Sequence, residues 1–130
     1  MKRTYLLLFV GFCFVVLAGM IFRPVSIPKD AADLLVAEGK VVTIFEGGTN
    51  DVAFRLQGDK TMYYINRGLE YGLNLEELQE KLTGNNVTIK YPKHWTLLDP
   101  KNRVKHLCIL EYEGKELFNE INLVYPDTTK

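Results

Sequence analysis

The pattern of hydrophobic positions begins with an uncharged run from Tyr5 to Phe22, in which most side chains are large and apolar. Its eighteen residues would form a helix about 27 Å long, close to the thickness of the hydrocarbon core of a bilayer. Lys2 and Arg3 precede the run, whereas only Arg23 follows it immediately. The positive-inside rule therefore predicts that residues 1–23 are a membrane anchor, with the N-terminus in the cytoplasm and the following domain outside.

A cleaved signal peptide is the alternative interpretation of this run. Val16 and Ala18 are small residues that would precede a cut between Ala18 and Gly19. The apolar run continues past that point and exceeds the ~7–15 residue core of a signal peptide, which favours a retained anchor. Both interpretations place the domain beyond the inner membrane.

Residues 24–39 have the pattern of a linker with a short helix. Pro24 and Pro28 oppose helix continuation and favour extended chain. Asp30 is a suitable N-cap for a short helix that would end at Gly39.

The pattern then changes to alternating and β-branched segments, which predicts a domain over residues 40–121. Gly58 and Asp59 form a predicted hairpin turn. Asn74, with Glu77 three residues later and leucines on one face, predicts a capped amphipathic helix that ends at Gly84. The remaining 122–130 are predicted to be a flexible tail. The predicted strands are 41–45, 52–56, 61–65, 87–91, 104–112 and 117–118.

This order of elements predicts a mainly β domain with one helix. Three strands, a helix, two further strands and a short extra strand follow the order of a small, antiparallel OB-fold-like barrel. The resemblance concerns the element order alone, over residues 40–121. A small α+β sandwich is the alternative.

Composition adds little evidence for catalysis. The chain has 16 basic and 16 acidic residues, two Cys and two His, and it contains no recognisable nucleophile, phosphate-loop or metal-binding motif. Cys108 lies between Leu107 and Ile109, which indicates a buried small hydrophobe. We therefore expect no catalytic residue, no metal site and no cofactor.

Two segments are candidates for binding. The first is the loop 92–103, which combines the only Trp with basic residues and would stack on a partner while attracting an anion. The second is the end of the third strand, where alternation places Tyr64 and Asn66 on one face and Arg67 follows. Both segments have a structural alternative, in which the loop closes the barrel end and the arginine fixes a turn. The candidate residues are Tyr64, Asn66, Arg67, His94, Trp95, Lys101 and Arg103.

These observations favour a membrane-anchored, extracytoplasmic binding or assembly module that contacts a protein or glycan partner. A carrier or sensor of a small anion, and an accessory subunit of a membrane complex, are alternatives. Nucleic acid is not expected, because the net charge of residues 24–130 is negative, with 13 basic and 16 acidic side chains. A membrane-anchored OB-fold is similar to the haem chaperones of cytochrome c maturation. Haem is not expected either, since the chain lacks a His followed by a Tyr near the barrel's end.

Overall fold

The structure is a computed structural model that describes residues 1–126 of the chain. It contains two compact units. The first unit comprises residues 1–24 and 95–102, and the second comprises residues 25–94 with the described part of 103–130.

Helix α1, Lys2–Ile21, is the main element of the first unit. None of its residues is buried, although most of its side chains are apolar. A helix that is hydrophobic on all sides needs an apolar environment, which a bilayer supplies. Within residues 1–126, α1 is the one helix long and apolar enough to cross a membrane, and a signal sequence meets the same criteria.

The second unit is built on a mixed sheet of seven strands. Their order is β5-β3-β2-β1-β4-β6-β7, and adjacent strands are antiparallel except for β3 and β5. The sheet is open, with β5 and β7 at its edges, so the predicted closed antiparallel barrel is not confirmed. The strands are β1 Leu35–Glu46, β2 Val52–Leu56, β3 Met62–Ile65, β4 Asn86–Tyr91, β5 Val104–His106, β6 Ile109–Tyr112 and β7 Lys115–Asn119.

The predicted strand 104–112 is divided into β5 and β6 because the chain changes partner between them. The Leu107 N–H donates to the carbonyl of Tyr64 at 2.7 Å, and the Cys108 N–H donates to the carbonyl of Lys90 at 2.9 Å. As a result, β5 pairs with β3 and β6 pairs with β4. The sequence pattern of residues 104–112 gives no sign of this change of partner strand.

Strand β1 begins earlier than the sequence predicts. Its first half, Leu35–Lys40, pairs with β4, and its second half pairs with β2. The predicted helix to Gly39 is therefore wrong: only a single 3-10 turn forms, in which Asp30 accepts a hydrogen bond from the Ala32 N–H at 2.8 Å. Gly39 instead faces Val87 across the ladder, because pairing with a distant strand outweighs the local preference.

Helix α2, Leu75–Leu82, agrees with its sequence pattern. The Glu77 N–H donates to the Asn74 side chain at 3.1 Å, as the predicted N-cap requires. Leu78 and Leu82 are buried, and α2 packs against β1. The predicted amphipathic helix is thus confirmed, with its apolar face on the main core.

A second, smaller core joins both ends of the domain. Leu34, Cys108, Ile109 and Ile121 are buried together, and Ile27 and Tyr125 pack against them. Helix α3, Glu120–Val124, contributes to this core, and Asn119 is its N-cap. Part of the predicted tail is therefore helical, and residues 127–130 lie outside the described part of the chain.

Candidate functional site

A cavity of about 340 Å³ opens on the face of strands β2 and β3, and we call it the β2–β3 groove. Met62, Tyr64 and Asn66 alternate along β3 and its end, which places them on the same side of the sheet. Val104 of β5 extends this wall, since β5 runs beside β3. The remaining lining residues are Phe45, Gly47, Gly48, Asp51 and Ala53.

The two neighbouring tyrosines of β3 have different environments, as alternation predicts. Tyr63 is buried in the main core, and its hydroxyl donates to Asp59 Oδ2 at 2.7 Å. Burial and this hydrogen bond raise the pKa of Tyr63. Burial alone would raise the pKa of Asp59, but hydrogen bonds from Thr61 and Tyr63 outweigh it and lower that pKa. Tyr63 is thus structural, and Tyr64 is the tyrosine that lines the groove.

A buried polar cluster lies directly behind the groove wall. The rings of Tyr64 and His106 meet edge-on, with centroids 5.3 Å apart. His106 Nε2 in turn contacts Glu120 Oε2. Burial raises the pKa of the Tyr64 phenol, and the negative charges of Asp51 and Glu120 raise it further. Tyr64 therefore connects the open groove to a polar interior.

Cys108 completes this cluster, which we name the His106–Cys108–Glu120 cluster. All three residues are buried, and their side-chain donor atoms lie within 4.8 Å of one another. Burial raises the pKa of the Cys108 thiol, and the Glu120 carboxylate adds to this effect. These three side chains are the donor set in the described residues that is suited to hold a metal ion.

Sequence reasoning missed this cluster. His106 ends a segment, residues 90–106, that is rich in Lys and Arg, and Cys108 has apolar neighbours typical of a hydrophobic core residue. The His-x-Cys spacing is a weak signal, since alternate residues of a strand share a face. Glu120 joins them because its backbone N–H donates to the Cys108 carbonyl at 2.8 Å, a contact that no local pattern predicts.

Arg67 was predicted as a candidate but does not line the groove. It has a positive φ of 54° and forms an ion pair with Glu70 at 2.6 Å. Glu70 also accepts a hydrogen bond from Asn50 at 3.1 Å, and this bond together with Arg67 lowers the Glu70 pKa. These contacts fit the structural alternative, in which Arg67 holds the turn after β3.

The candidates of the loop 92–103 are divided between the two units. Trp95 and Lys101 belong to the unit of α1, and both are exposed. His94 and Arg103 belong to the sheet unit. The Arg103 carbonyl accepts a hydrogen bond from the Met62 N–H at 2.7 Å, so its backbone continues the β3–β5 pairing.

A larger cavity of about 440 Å³ lies elsewhere on the second unit, beside Glu38 and Glu113. Glu111 also lines it but forms an ion pair with Lys90 at 2.8 Å. Surface carboxylates such as Glu38 and Glu113 are ordinarily solvated charges rather than a built binding site.

Comparison with known proteins identifies no relative: the chain matches no protein-family model, no curated protein and no solved structure.

Proposed function

We propose that this chain is a single-pass, membrane-anchored binding module whose domain lies outside the inner membrane and binds a protein partner in the β2–β3 groove. The observation that carries the proposal is the groove itself. Apolar walls from Phe45 and Met62 stand beside polar groups of Asp51 and Asn66. Ligand sites typically combine an apolar surface with a few placed polar groups, and volumes start at about 300 Å³.

The strand arrangement supports an OB-like interpretation of the domain. β1 pairs with both β2 and β4, α2 lies between β3 and β4 in the chain, and β5 continues into β6 through two residues. An OB-fold is a partly open barrel that binds ligands across the face of its second and third strands. The groove lies on the corresponding strands, which favours it over the larger acidic cavity.

The charge of the groove favours a neutral or cationic partner group. Asp51 lines the groove, the buried Glu120 carboxylate lies behind Tyr64, and the described lining contains neither Lys nor Arg. A small anion inside the groove would be repelled by these two carboxylates, because the Arg55 guanidinium, 5.9 Å from the centroid of the Phe45 ring, is not part of the lining. This argument favours the binding module over the anion carrier.

Burial of the one cysteine in the domain argues against covalent catalysis. Cys108 is 0% exposed, and burial raises the pKa of its thiol. A cysteine nucleophile needs an accessible thiolate with a lowered pKa. The burial of Cys108 thus supports the part of the proposal in which the domain binds without cysteine-based covalent catalysis.

The basic residues at the start of α1 support the proposed orientation. Lys2 and Arg3 precede the apolar helix, and the positive-inside rule retains such residues in the cytoplasm. The domain that follows then lies on the other side of the membrane. A reporter fused after Lys130 tests this part of the proposal, since a phosphatase that requires an oxidising compartment should be active.

The groove is tested by filling it. Gly48 lines the groove, and a Cβ added there meets no heavy atom within 4 Å, so Gly48→Trp attaches a bulky side chain to the groove lining without a clash at its Cβ. Lys115→Trp is the matched control on the exposed edge strand β7. Full-length chains are crosslinked in intact cells and purified. If the parent chain and Lys115→Trp retain their crosslinked partner proteins and Gly48→Trp loses them, the proposal is supported. If the parent chain and both variants retain the same partners, the proposal is contradicted.

A further inference from the structure

We propose that the His106–Cys108–Glu120 cluster is a binding site for a divalent transition metal of the Zn²⁺ type. The proposal goes beyond the binding module, because it depends on neither the groove's partner nor the membrane anchor. It assigns a chemical role to three buried side chains, none of which lines the groove.

The donor set fits such an ion. Imidazole nitrogen, thiolate sulfur and carboxylate oxygen are the three ligand types that proteins offer to Zn²⁺, at about 2.0–2.3 Å from the metal. Two ligands at these distances in a tetrahedral arrangement lie roughly 3.5 Å apart. The three donor atoms already lie within 4.8 Å of one another, which is near this spacing, so we expect side-chain rotations to place them around one ion.

The backbone brings the three side chains together. His106 and Cys108 are separated by one residue, and Leu107 between them belongs to the main core. Glu120 is the first residue of α3, and its N–H donates to the Cys108 carbonyl at 2.8 Å. The Asn119 side chain caps the same helix by accepting from the Ile121 N–H at 3.0 Å. Backbone and capping hydrogen bonds therefore fix the positions of the segments that carry the three proposed ligands.

Charge balance favours a divalent ion in this buried position. Two anionic ligands, the thiolate and the carboxylate, neutralise a 2+ ion, while the imidazole contributes no charge. Burial disfavours isolated charges, and a neutral assembly avoids that cost. Burial alone raises the Cys108 pKa, but a coordinating metal deprotonates a thiol outright. Three protein ligands leave a fourth position for water or another ligand.

The competing arrangement is a closed hydrogen-bonded cluster, in which His106 and Glu120 pair and no ion enters. Co²⁺ distinguishes the two, because a thiolate bound to Co²⁺ gives a sulfur-to-metal charge-transfer band in the near ultraviolet. The full chain is purified in detergent as the Cys13→Ser variant, treated with a chelator and titrated with Co²⁺. Cys108 is then the only cysteine in the chain. We expect a saturable band at about one ion per chain, which Zn²⁺ abolishes by displacement.

Three further variants identify the ligands. Cys108→Ser keeps the size of the side chain and should eliminate the band, and Glu120→Gln should weaken binding. His94→Ala removes the other histidine of the chain and should leave the titration unchanged. Circular dichroism establishes that each variant is folded. If the folded Cys13→Ser chain shows no band and calorimetry with Zn²⁺ shows no saturable binding, the closed hydrogen-bonded cluster is correct and the metal site is wrong.

A different observation carries a second inference, which rests on the proposed membrane anchor. We infer that Trp95, Leu97 and Leu98 insert into the bilayer interface at the outer end of α1. Their exposed fractions are 45%, 38% and 71%, a large apolar surface for three nearby residues. Thr96 Oγ1 donates to the Ile21 carbonyl at 3.3 Å, which holds the segment at the last residue of the helix.

The chemistry of this segment suits the lipid headgroup region. Tryptophan is enriched at membrane–water interfaces, where its ring contacts apolar chains and its N–H contacts polar groups. Lys101 of the same unit is exposed and is able to pair with a lipid phosphate. The occupant of the apolar surface is therefore the lipid around the anchor.

Fluorescence tests this inference directly, since Trp95 is the only tryptophan of the chain. The full chain is placed in nanodiscs whose lipids carry a spin label either near the headgroup or deep in the acyl chains. Trp95 emission should be quenched most by the shallow label, and a fluorophore on Cys13 should be quenched most by the deep label. If the Cys13 probe is quenched but Trp95 is not, α1 lies in the bilayer and the proposed insertion of Trp95, Leu97 and Leu98 is wrong. If neither is quenched, the anchor is wrong as well.

Discussion

The ring of Tyr64 meets the ring of His106 edge-on at a centroid distance of 5.3 Å. Tyr64 lines the β2–β3 groove, whereas His106 belongs to the buried cluster with Cys108 and Glu120. The two residues also face each other in the parallel pairing of β3 and β5. One aromatic contact therefore connects the surface proposed for binding with the interior proposed for metal coordination.

Removal of this ring should destabilise the domain. Tyr64→Ala loses the aromatic contact and the buried part of the ring, and we expect a loss of about 2–4 kcal/mol in the free energy of unfolding. Tyr64→Phe keeps the ring and should stay within about 0.5 kcal/mol of the parent chain. Urea denaturation of the full chain in detergent measures the free energy of unfolding of both variants and of the parent chain. Equal losses in the two variants would contradict a role for the ring contact.

The packing of α2 against β1 gives a second prediction. Leu82 is 0% exposed, so Leu82→Ala should cost about 2–5 kcal/mol through lost burial and a cavity. Glu80→Ala changes an exposed position of the same helix and should be nearly neutral. Denaturation of both variants under the same conditions provides the comparison. A small effect at Leu82 would show that α2 is not docked on the sheet.

Gly68 allows a test of close packing after β3. A Cβ at this position would lie 3.0 Å from Cγ2 of both Ile65 and Val52. Gly68→Ala should therefore overpack the core and destabilise it by about 1–3 kcal/mol. Gly48→Ala adds the same atom where nothing lies within 4 Å, so it serves as the control. Thermal unfolding midpoints should fall for Gly68→Ala and remain within a few degrees for the control.

The contact between Tyr63 and Asp59 predicts a dependence on pH. The pKa of Asp59 is lowered below its ordinary value of 3.8, so its ionised form stabilises the fold. This contribution is present above the unfolded-state pKa and is lost as pH falls through the folded-state pKa. Asp59→Asn should cost about 1 kcal/mol at neutral pH, because the carboxylate is only partly buried and solvent screens its interactions.

The difference between the parent chain and Asp59→Asn should narrow as the solution is acidified. Glu46→Gln, at an exposed position of β1, is the control and should change stability little at any pH. Unfolding midpoints of the three chains over a pH series provide the measurement. A constant gap between Asp59→Asn and the parent chain would contradict the assigned charge effect.

Local patterns were sufficient for the elements that depend on nearby residues. The apolar run predicts α1, the Asn74 cap and the leucine spacing predict α2, and alternation predicts β2 and the shared face of Tyr64 and Asn66. Each of these features depends on side chains a few residues apart. The sequence therefore located one wall of the groove.

Long-range pairing determined what the sequence did not predict. The first half of β1 forms on β4, about fifty residues away, and this pairing places Gly39 in a strand. The division at Leu107 likewise follows from two different partner strands. Glu120 reaches Cys108 only because β6 and β7 turn back on each other. The buried cluster could not be found from spacing for the same reason.

The central claim, that the β2–β3 groove of an extracytoplasmic domain binds a protein, is tested most directly by photo-crosslinking in living cells. A photoreactive amino acid replaces Asn66, which is exposed and lines the groove, or Lys115 on the edge strand β7 as the control. We predict a discrete crosslinked protein from position 66 that disappears when Gly48→Trp is added and is not formed from position 115. No adduct from position 66, or the same adduct from both positions, would contradict the proposed binding surface.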